Sequence, residues 1–282
     1  MNGDPRPIGV FDSGIGGLTT VRELYQRLPG ESVVYFGDTA RLPWGNKSRD
    51  TVTRFSVEIA SFLVRQHVKC VVVACNTASS HALETLRERF GVPVIGVIEP
   101  AARAAVARSP GGRIGVVGTL ATVGSNSYAD AIARLAPKAS VQQRACPLFV
   151  PLVEEGWLDH TVTRLVAEEY LHELKAAGLE SLILGCTHYP LLAPLLQSYM
   201  GSGVKLIDSG AEAALATADL LAERGLLAPA GGAPPSHQFY LSDEPRRRSF
   251  AHVAESFLGT TLPAVSVVDQ TDLPWFERTH GA

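Results

Sequence analysis

Short runs of β-branched and aliphatic residues recur along the chain, and each run ends at a small or polar residue. These runs predict strands at Ile8–Phe11, Val33–Phe36, Val71–Val73, Val94–Val97, Ile114–Val117, Leu182–Leu184 and Val204–Ile207. The stretches between them place apolar residues on one helical face, as at Leu18, Val21, Leu24, Tyr25 and Leu28, and at Val52, Phe55, Ile59, Phe62 and Leu63. Apolar strands that alternate with amphipathic helices are typical of an α/β fold with parallel sheets covered on both faces. Ligands in such folds bind beyond the carboxyl ends of the strands.

The pattern also repeats within the chain. Ile8-Gly-Val-Phe-Asp-Ser13 is echoed by Ile114-Gly-Val-Val-Gly-Thr119, and Val71-Val-Val-Ala-Cys-Asn-Thr77 is echoed by Leu182-Ile-Leu-Gly-Cys-Thr187. Because the echoes keep their order, we expect two pseudo-symmetric lobes, each a largely parallel sheet flanked by helices, with the active site between them. The predicted first lobe comprises residues 1–98 plus 208–282, and the predicted second lobe comprises residues 99–207. The segment Ala228–Ser236 is predicted to be a loop.

Composition excludes several classes of function. The 282 residues are 46% hydrophobic and 19% charged, which excludes bulk disorder, and the length favours about two domains. The 25 Lys and Arg nearly balance the 28 Asp and Glu, so the net charge of −3 argues against a nucleic-acid partner or a membrane surface. The basic cluster Arg246, Arg247 and Arg248 is interpreted as a solvated helix start.

The chain also lacks sequence signals for membranes and for disulfide bonds. No apolar run approaches the ~20 residues of a membrane span, and the first residues do not resemble a signal peptide. Four cysteines without paired spacing do not indicate a disulfide framework, so we expect a cytoplasmic protein with reduced thiols.

Two of the cysteines occupy equivalent places, just past a strand and before a predicted helix start. Cys75 follows one apolar run and Cys186 follows its echo, whereas Cys70 and Cys146 are interpreted as packing residues. Aligned N–H groups at a helix N-terminus favour thiolate, so we expect thiol pKa values below the usual value of about 8.5. Two equivalent acid–base groups suit the inversion of a stereocentre, since one removes a proton from one face and the other delivers a proton to the opposite face.

Other uses of the cysteines fit the sequence less well. A metal site needs three or four ligands with tight local spacing, which the sequence does not contain, so we expect no metal. A single cysteine nucleophile would leave the second cysteine unexplained. Pyridoxal phosphate needs a Schiff-base lysine, and none of Lys47, Lys69, Lys138, Lys175 and Lys205 follows a strand beside a phosphate-binding glycine loop. We therefore expect no cofactor.

Four segments together resemble the signature blocks of the bacterial glutamate racemase family, which belongs with the aspartate/glutamate racemases. They are Gly9-Val-Phe-Asp-Ser-Gly-Ile-Gly-Gly17, Phe36-Gly-Asp-Thr-Ala-Arg-Leu-Pro-Trp-Gly45, Ala74-Cys-Asn-Thr-Ala78 and Gly185-Cys-Thr-His-Tyr-Pro190. The resemblance covers roughly residues 7–210. It implies cofactor-independent interconversion of L- and D-glutamate, the supply of D-glutamate for peptidoglycan, and a homodimer.

The resemblance also implies roles for individual residues. Cys75 and Cys186 match the acid–base residues for the two faces of the substrate, and Asp12 matches the carboxylate beside the first thiol. His188 and Glu154 match the partners of the second thiol, although the adjacent Glu155 remains an alternative. Substrate-binding candidates are Asp12, Ser13, Trp44, Gly45, Asn76, Thr77, Thr187 and His188, with Thr119 and Thr122 as further donors of hydrogen bonds.

One position departs from the family pattern, since Trp44 stands where the family usually has tyrosine. Tryptophan loses the hydroxyl acceptor of tyrosine and keeps one N–H donor, so backbone contacts at Trp44 and Gly45 could persist while side-chain selectivity changes. Two alternatives remain open at the level of sequence. The substrate could be a related amino acid such as aspartate, or the chain could be a non-catalytic amino-acid-binding module.

Overall fold

The computed structural model describes residues 3–243 and 250–268 of the chain. In these ranges the strands are β1 (Ile8–Asp12), β2 (Val33–Gly37), β3 (Cys70–Val73), β4 (Val94–Gly96), β5 (Arg113–Gly118), β6 (Ser140–Ala145), β7 (Ser181–Gly185), β8 (Lys205–Asp208), β9 (His237–Leu241) and β10 (Val265–Val267). They form a six-stranded sheet of order β10-β9-β2-β1-β3-β4 and a four-stranded sheet of order β6-β5-β7-β8. Every pair of neighbouring strands is parallel. The predicted two-lobed α/β fold is therefore confirmed.

Helices connect the strands and cover the sheets. In the same ranges they are α1 (Leu18–Arg27), α2 (Arg49–Arg65), α3 (Asn76–His81), α4 (Leu83–Arg89), α5 (Ile98–Ala107), α6 (Leu120–Gly124), α7 (Ser127–Leu135), α8 (Phe149–Glu154), α9 (Thr161–Ala176), α10 (Ala193–Met200), α11 (Ser209–Glu223) and α12 (Phe250–Leu258). Short 3-10 turns span Thr39–Arg41, Trp44–Asn46 and Tyr189–Leu192.

The strands that precede the candidate site are buried along their whole length. All residues of β1, β3 and β7 are buried, because helices cover both faces of their sheets. The apolar face predicted for α1 is confirmed in the same way, since Leu18, Val21 and Leu24 are buried against the six-stranded sheet. The rigid central strands therefore fix the positions of the residues at their carboxyl ends.

The seven predicted strands are confirmed, but the sequence did not predict β6, β9 and β10. These strands have partly exposed positions, and β6 and β10 lie at sheet edges, so their residues do not form continuous apolar runs. The Ala228–Ser236 loop is confirmed and leads into β9.

The strands divide between the sheets by position along the chain. The six-stranded sheet takes its strands from residues 8–96 and 237–267, and the four-stranded sheet takes its strands from residues 113–208. Helix α11 packs against both α1 and α5, and so joins elements that flank different sheets. The lobe boundaries at residues 98/99 and 207/208 stay a prediction.

Two further predictions concern the surface of the protein. The basic cluster Arg246, Arg247 and Arg248 lies outside the described residues. In the part of the chain that the structure describes, no helix is long and apolar enough to cross a membrane.

Candidate active site

The first thiol lies at the junction of β3 and α3. Cys75 caps α3, where its Sγ accepts a hydrogen bond from the backbone N–H of Ala78 at 3.5 Å. The same sulfur donates to Ser13 Oγ at 3.6 Å. Burial, followed by the nearby charge of Asp12, raises the pKa of Cys75 to about 12. The expectation of a lowered pKa is therefore wrong for Cys75 in this structure, because burial and the carboxylate outweigh the N–H groups of the helix.

Asp12 is the carboxylate of the first side, and it ends β1 with no solvent exposure. Its Oδ2 accepts a hydrogen bond from the backbone N–H of Gly14 at 3.0 Å. Burial raises the pKa of Asp12, although the charge of His188 and nearby backbone N–H groups oppose this effect. A buried carboxyl with a raised pKa can hold a proton, which agrees with the sequence-based expectation of a proton acceptor.

The second thiol follows β7. His188 Nδ1 lies 3.9 Å from Cys186 Sγ, and His188 Nε2 lies 3.2 Å from Glu154 Oε1. Burial disfavours the charged imidazole, but its hydrogen bonds to Cys186 and Glu154 outweigh burial and raise the His188 pKa to about 10. A pKa of about 10 favours the protonated imidazole near neutral pH, with Nδ1 3.9 Å from the sulfur. Of the two candidate glutamates, the structure brings Glu154 to this histidine.

Hydroxyl groups from the two lobes meet near the loop that carries Cys75. Thr77 Oγ1, in the first turn of α3, lies 3.1 Å from Thr119 Oγ1 and 3.4 Å from Thr122 Oγ1. Thr119 caps α6 and Thr122 lies within it. A Cβ on Gly45 would lie 2.9 Å from Thr119 Cβ, so the backbone of the Trp44–Asn46 turn reaches the same cluster. The carboxyl ends of the two sheets therefore face each other across a set of small polar groups.

Asn76 connects the loop of the first thiol to the second lobe. Its Oδ1 accepts a hydrogen bond from Tyr128 Oη at 2.6 Å, and its Nδ2 donates to Ser209 Oγ at 3.1 Å. Ser209 Oγ in turn donates to the backbone carbonyl of Leu184 at 2.9 Å. Both the oxygen and the nitrogen of the Asn76 side chain are thus bonded within the protein, and the amide helps to fix the spacing of the two loops.

The side chain of Trp44 is part of a buried anchor on the first lobe. The indole is 1% exposed, and its single N–H donates to Asp38 Oδ2 at 3.1 Å. Asp38 also accepts from Ser242 Oγ at 2.8 Å and from Arg41 Nε, and Arg41 forms an ion pair with buried Glu58. Since the indole N–H is already used, Trp44 has only backbone groups left to donate or accept hydrogen bonds at the site.

Acidic and thiol side chains can also serve as metal ligands. Among the described residues, no group of three or more His, Cys, Asp or Glu side chains has an arrangement that could hold a metal ion. The arrangement instead provides two buried thiols, each with its own carboxylate or imidazole partner, which suits proton transfer on two sides of one small ligand.

Comparison with known proteins agrees with this chemistry. Residues 13–217 match the Asp/Glu/Hydantoin racemase family. The chain belongs to that family. A glutamate racemase of Geobacter metallireducens is 51% identical over 257 residues, which cover 91% of this chain and 94% of the relative. The membership confirms the expectation of an isomerase of the racemase class.

Solved structures of glutamate racemases have the same fold. The enzyme of Francisella tularensis, in complex with D-glutamate, is 40% identical, with a TM-score of 0.88 over 95% of this chain and 99% of that chain. The enzyme of Thermus thermophilus, in complex with beta-chloro-D-alanine, is 46% identical, with a TM-score of 0.85 over 95% of this chain and 99% of that chain.

Sequence reasoning missed several residues that build this racemase site. Tyr128 lies on the apolar face of α7, where nothing in the sequence distinguishes it from a core residue. Ser209 follows β8, so the rule that polar residues after strands face the site could have found it. Asp38 lies within one of the signature segments, but only the tertiary structure shows that it binds the Trp44 indole.

The assignment of Glu154 can be tested by substitution. We expect Glu154→Gln to lower the pKa of His188, because the variant loses the carboxylate that stabilises the imidazolium. Titration of the His188 ring by NMR would measure this change. Glu155→Gln is the matched control, since Glu155 is exposed. An equal fall in the His188 pKa in both variants would contradict the assignment.

The Glu154→Gln variant also has a predicted effect on stability, and this effect depends on pH. The pKa of His188 is raised from 6.5 to about 10 in the folded protein, so its contribution to stability is complete below pH 6.5 and is lost as pH rises through 10. The stability difference between wild type and Glu154→Gln should therefore shrink between these two pH values.

Proposed function

We propose that this chain interconverts L-glutamate and D-glutamate by proton transfer at Cα between two thiols, without a cofactor. The observation that carries the proposal is the pair of buried thiols at the ends of β3 and β7, one on each sheet. Cys75 and Cys186 are 5% and 6% exposed, and they interact electrostatically with each other. Relatives that are 50–51% identical to this chain are named glutamate racemases.

The proposed reaction removes one proton from Cα of the substrate and adds one proton to the opposite face of the same carbon. In one direction, the thiolate of one cysteine removes the Cα proton, and the electron pair remains on the substrate as a planar carbanion. The thiol of the other cysteine then gives its proton to the opposite face. Asp12 accepts a proton or binds the substrate ammonium on the Cys75 side, whereas His188, held by Glu154, supplies a proton to the sulfur of Cys186.

The substrate ammonium also explains how Cys75 could ionise despite its raised pKa. A cation that enters beside a buried thiol favours the thiolate and partly reverses the effect of burial. The two carboxylates of glutamate would take hydrogen bonds from the hydroxyls of Ser13 and Thr77 and from the backbone N–H groups at Gly45 and Thr187. Thr119 and Thr122 extend this set of donors on the second lobe.

The proposal includes a cellular role. The reaction would supply D-glutamate for peptidoglycan and so support cell-wall synthesis and cell shape in the cytoplasm. The four cysteines are free, which fits a reducing compartment. We further propose a homodimer, which light scattering on the purified protein would test. The nearly neutral charge gives no support for nucleic-acid binding.

The direct test is the optical rotation of L-glutamate incubated with the purified protein, with metal and pyridoxal phosphate excluded. We expect rotation to decay to zero, and in D₂O we expect deuterium at Cα of the product. Racemisation of aspartate but not of glutamate would show that the assigned substrate is wrong, and it would leave the proposed mechanism unchanged. Saturable glutamate binding without loss of rotation would favour a binding module and refute the proposed enzyme.

A further inference from the structure

The hydroxyl of Thr187 lies between the acid–base groups of the two sides. Thr187 Oγ1 donates to Asp12 Oδ1 at 3.5 Å, and the same oxygen lies 3.4 Å from His188 Nδ1. His188 Nε2 continues the chain to Glu154 Oε1 at 3.2 Å. One chain of polar atoms thus runs from the carboxylate of the first lobe to the carboxylate of the second, and it passes beside Cys186.

The surrounding backbone is shaped to keep this hydroxyl in place. Thr19 Oγ1 donates to the carbonyl of Thr187 at 3.2 Å and to the carbonyl of Gly16 at 2.9 Å. Gly16 has no side chain, and a Cβ there would overlap Thr187 Oγ1 and lie 2.6 Å from His188 Nδ1. Asp12 is fully buried, and Thr187 and His188 are each 6% exposed, so the chain has little contact with solvent.

The proposed function creates a need for such a chain, and the inference rests on that function. Each turnover removes a proton from one side of the site and leaves an extra proton on the other. A second molecule of the same enantiomer can react only after the free enzyme has moved one proton back. In a buried site this return can limit the rate unless fixed groups carry the proton.

We propose that Thr187 relays this proton between Asp12 and His188. In one direction, the Asp12 carboxyl gives its proton to Thr187 Oγ1, while the hydroxyl proton of Thr187 moves to His188 Nδ1. Asp12 becomes a carboxylate, His188 becomes an imidazolium, and the Thr187 hydroxyl is restored. The reverse reaction uses the same steps in reverse order.

The ends of the relay are coupled to the thiols. The charge of Asp12 contributes to the raised pKa of Cys75, so these two groups compete for a proton on the first side, and His188 Nδ1 lies 3.9 Å from Cys186 Sγ. The raised pKa of Asp12 allows this carboxyl to hold the proton that the relay delivers. The relay therefore joins the carboxylate that acts on the first thiol to the imidazole beside the second thiol.

The test compares Thr187→Val with Thr187→Ser in the racemisation of glutamate. Valine has no hydroxyl, so we expect a slow return of the free enzyme, with kcat lowered about tenfold or more. KM should fall with kcat, and kcat/KM should stay within about twofold, because the return step follows product release. Product inhibition should change from competitive in the wild type to noncompetitive in Thr187→Val. Thr187→Ser should restore the wild-type values.

Two further variants keep the test falsifiable. Gly16→Ala should also lower kcat, because its methyl group would displace both the Thr187 hydroxyl and the His188 ring and so break the relay at two points. Thr217→Val is the matched control, since Thr217 is also buried and its hydroxyl bonds only within α11, to the carbonyl of Ala213. This control should keep wild-type kinetics.

The outcomes separate the relay from the proposed function. A raised KM with lowered kcat/KM and competitive product inhibition in Thr187→Val would mean that the hydroxyl only binds substrate, which would overturn the relay. Unchanged kinetics in Thr187→Val would overturn it as well. A wild-type chain that does not racemise glutamate would instead refute the proposed function itself.

Discussion

Cys75→Ser and Cys186→Ser should each lose racemisation of glutamate. A serine hydroxyl is a much weaker acid than a thiol, so each variant loses a proton-transfer group that contributes about 10²–10⁴-fold to the rate. The loss should appear in kcat in both directions, because each thiol acts as a base in one direction and as an acid in the other. Optical rotation measures this loss directly.

The two serine variants should differ in hydrogen exchange. Each keeps one thiol, which can remove the Cα proton of one enantiomer and return a solvent proton to the same face. In D₂O, we therefore expect each variant to exchange Cα hydrogen in one enantiomer only, and we expect opposite enantiomers for the two variants. Proton NMR of L- and D-glutamate in separate samples would show this pattern.

Cys146→Ser provides the control for the loss of a buried thiol. Cys146 is fully buried, and its sulfur donates to the carbonyl of Arg144 at 3.6 Å, a contact that a serine hydroxyl can also make. This variant should keep wild-type racemisation. Near-normal turnover in Cys75→Ser or in Cys186→Ser would refute the two-thiol mechanism.

The sequence predicted the central strands because those strands are buried on both faces. β1, β3 and β7 consist of apolar and small residues apart from Asp12, which ends β1, and the candidate residues Asp12, Cys75 and Cys186 lie at the strand ends or just after them. The edge strand β6 carries Gln142, Gln143 and Arg144 at partly exposed positions, so its sequence does not differ from that of a loop. The order of strands within the sheets depends on long-range pairing that local periodicity does not contain.

The sequence indicated which residues meet at the site, but it did not indicate their pKa values. The echo of the two cysteines and the signature segments pointed to Asp12, Cys75, Cys186 and His188, which the structure brings together. The pKa of Cys75 was predicted wrongly, because a helix N-terminus contributes about 0.3–1 kcal/mol, whereas full burial can shift a pKa by up to about 3–5 units. Burial depends on the whole fold, so a local motif could not reveal which effect is larger.

The contacts between secondary-structure elements could not be predicted from the sequence either. Tyr128 bonds Asn76, which lies next to Cys75, and its ring lies against Gly185, which precedes Cys186: a Cβ on Gly185 would be 3.2 Å from the Tyr128 ring. A single buried tyrosine therefore touches the loops of both thiols. Its spacing on α7 indicates only a core position, since the same pattern serves any packing residue.

Lys69→Met should have the largest effect on stability of the substitutions considered, and it acts at the opposite end of β3 from the thiol of Cys75. Lys69 precedes β3, whose other end leads to Cys75, and its side chain has no solvent exposure. Its ammonium pairs with Glu31 and donates to the carbonyls of Asp4 at 2.9 Å and Leu226 at 2.8 Å. Methionine would leave the buried carboxylate of Glu31 and two carbonyls without this partner.

We expect Lys69→Met to lower the free energy of unfolding by about 3–5 kcal/mol, which is the usual cost of an uncompensated buried charge. Urea unfolding followed by circular dichroism would measure it. Lys138→Met is the matched control, because Lys138 is exposed, and its effect should stay within about 0.5 kcal/mol. The double variant Lys69→Met with Glu31→Leu should regain much of the loss, since it removes both charges. A single variant as stable as the control would show that the buried pair does not hold these segments together. Where Lys69→Met remains folded, its kcat should match the wild type, because Lys69 lies at the opposite end of β3 from Cys75.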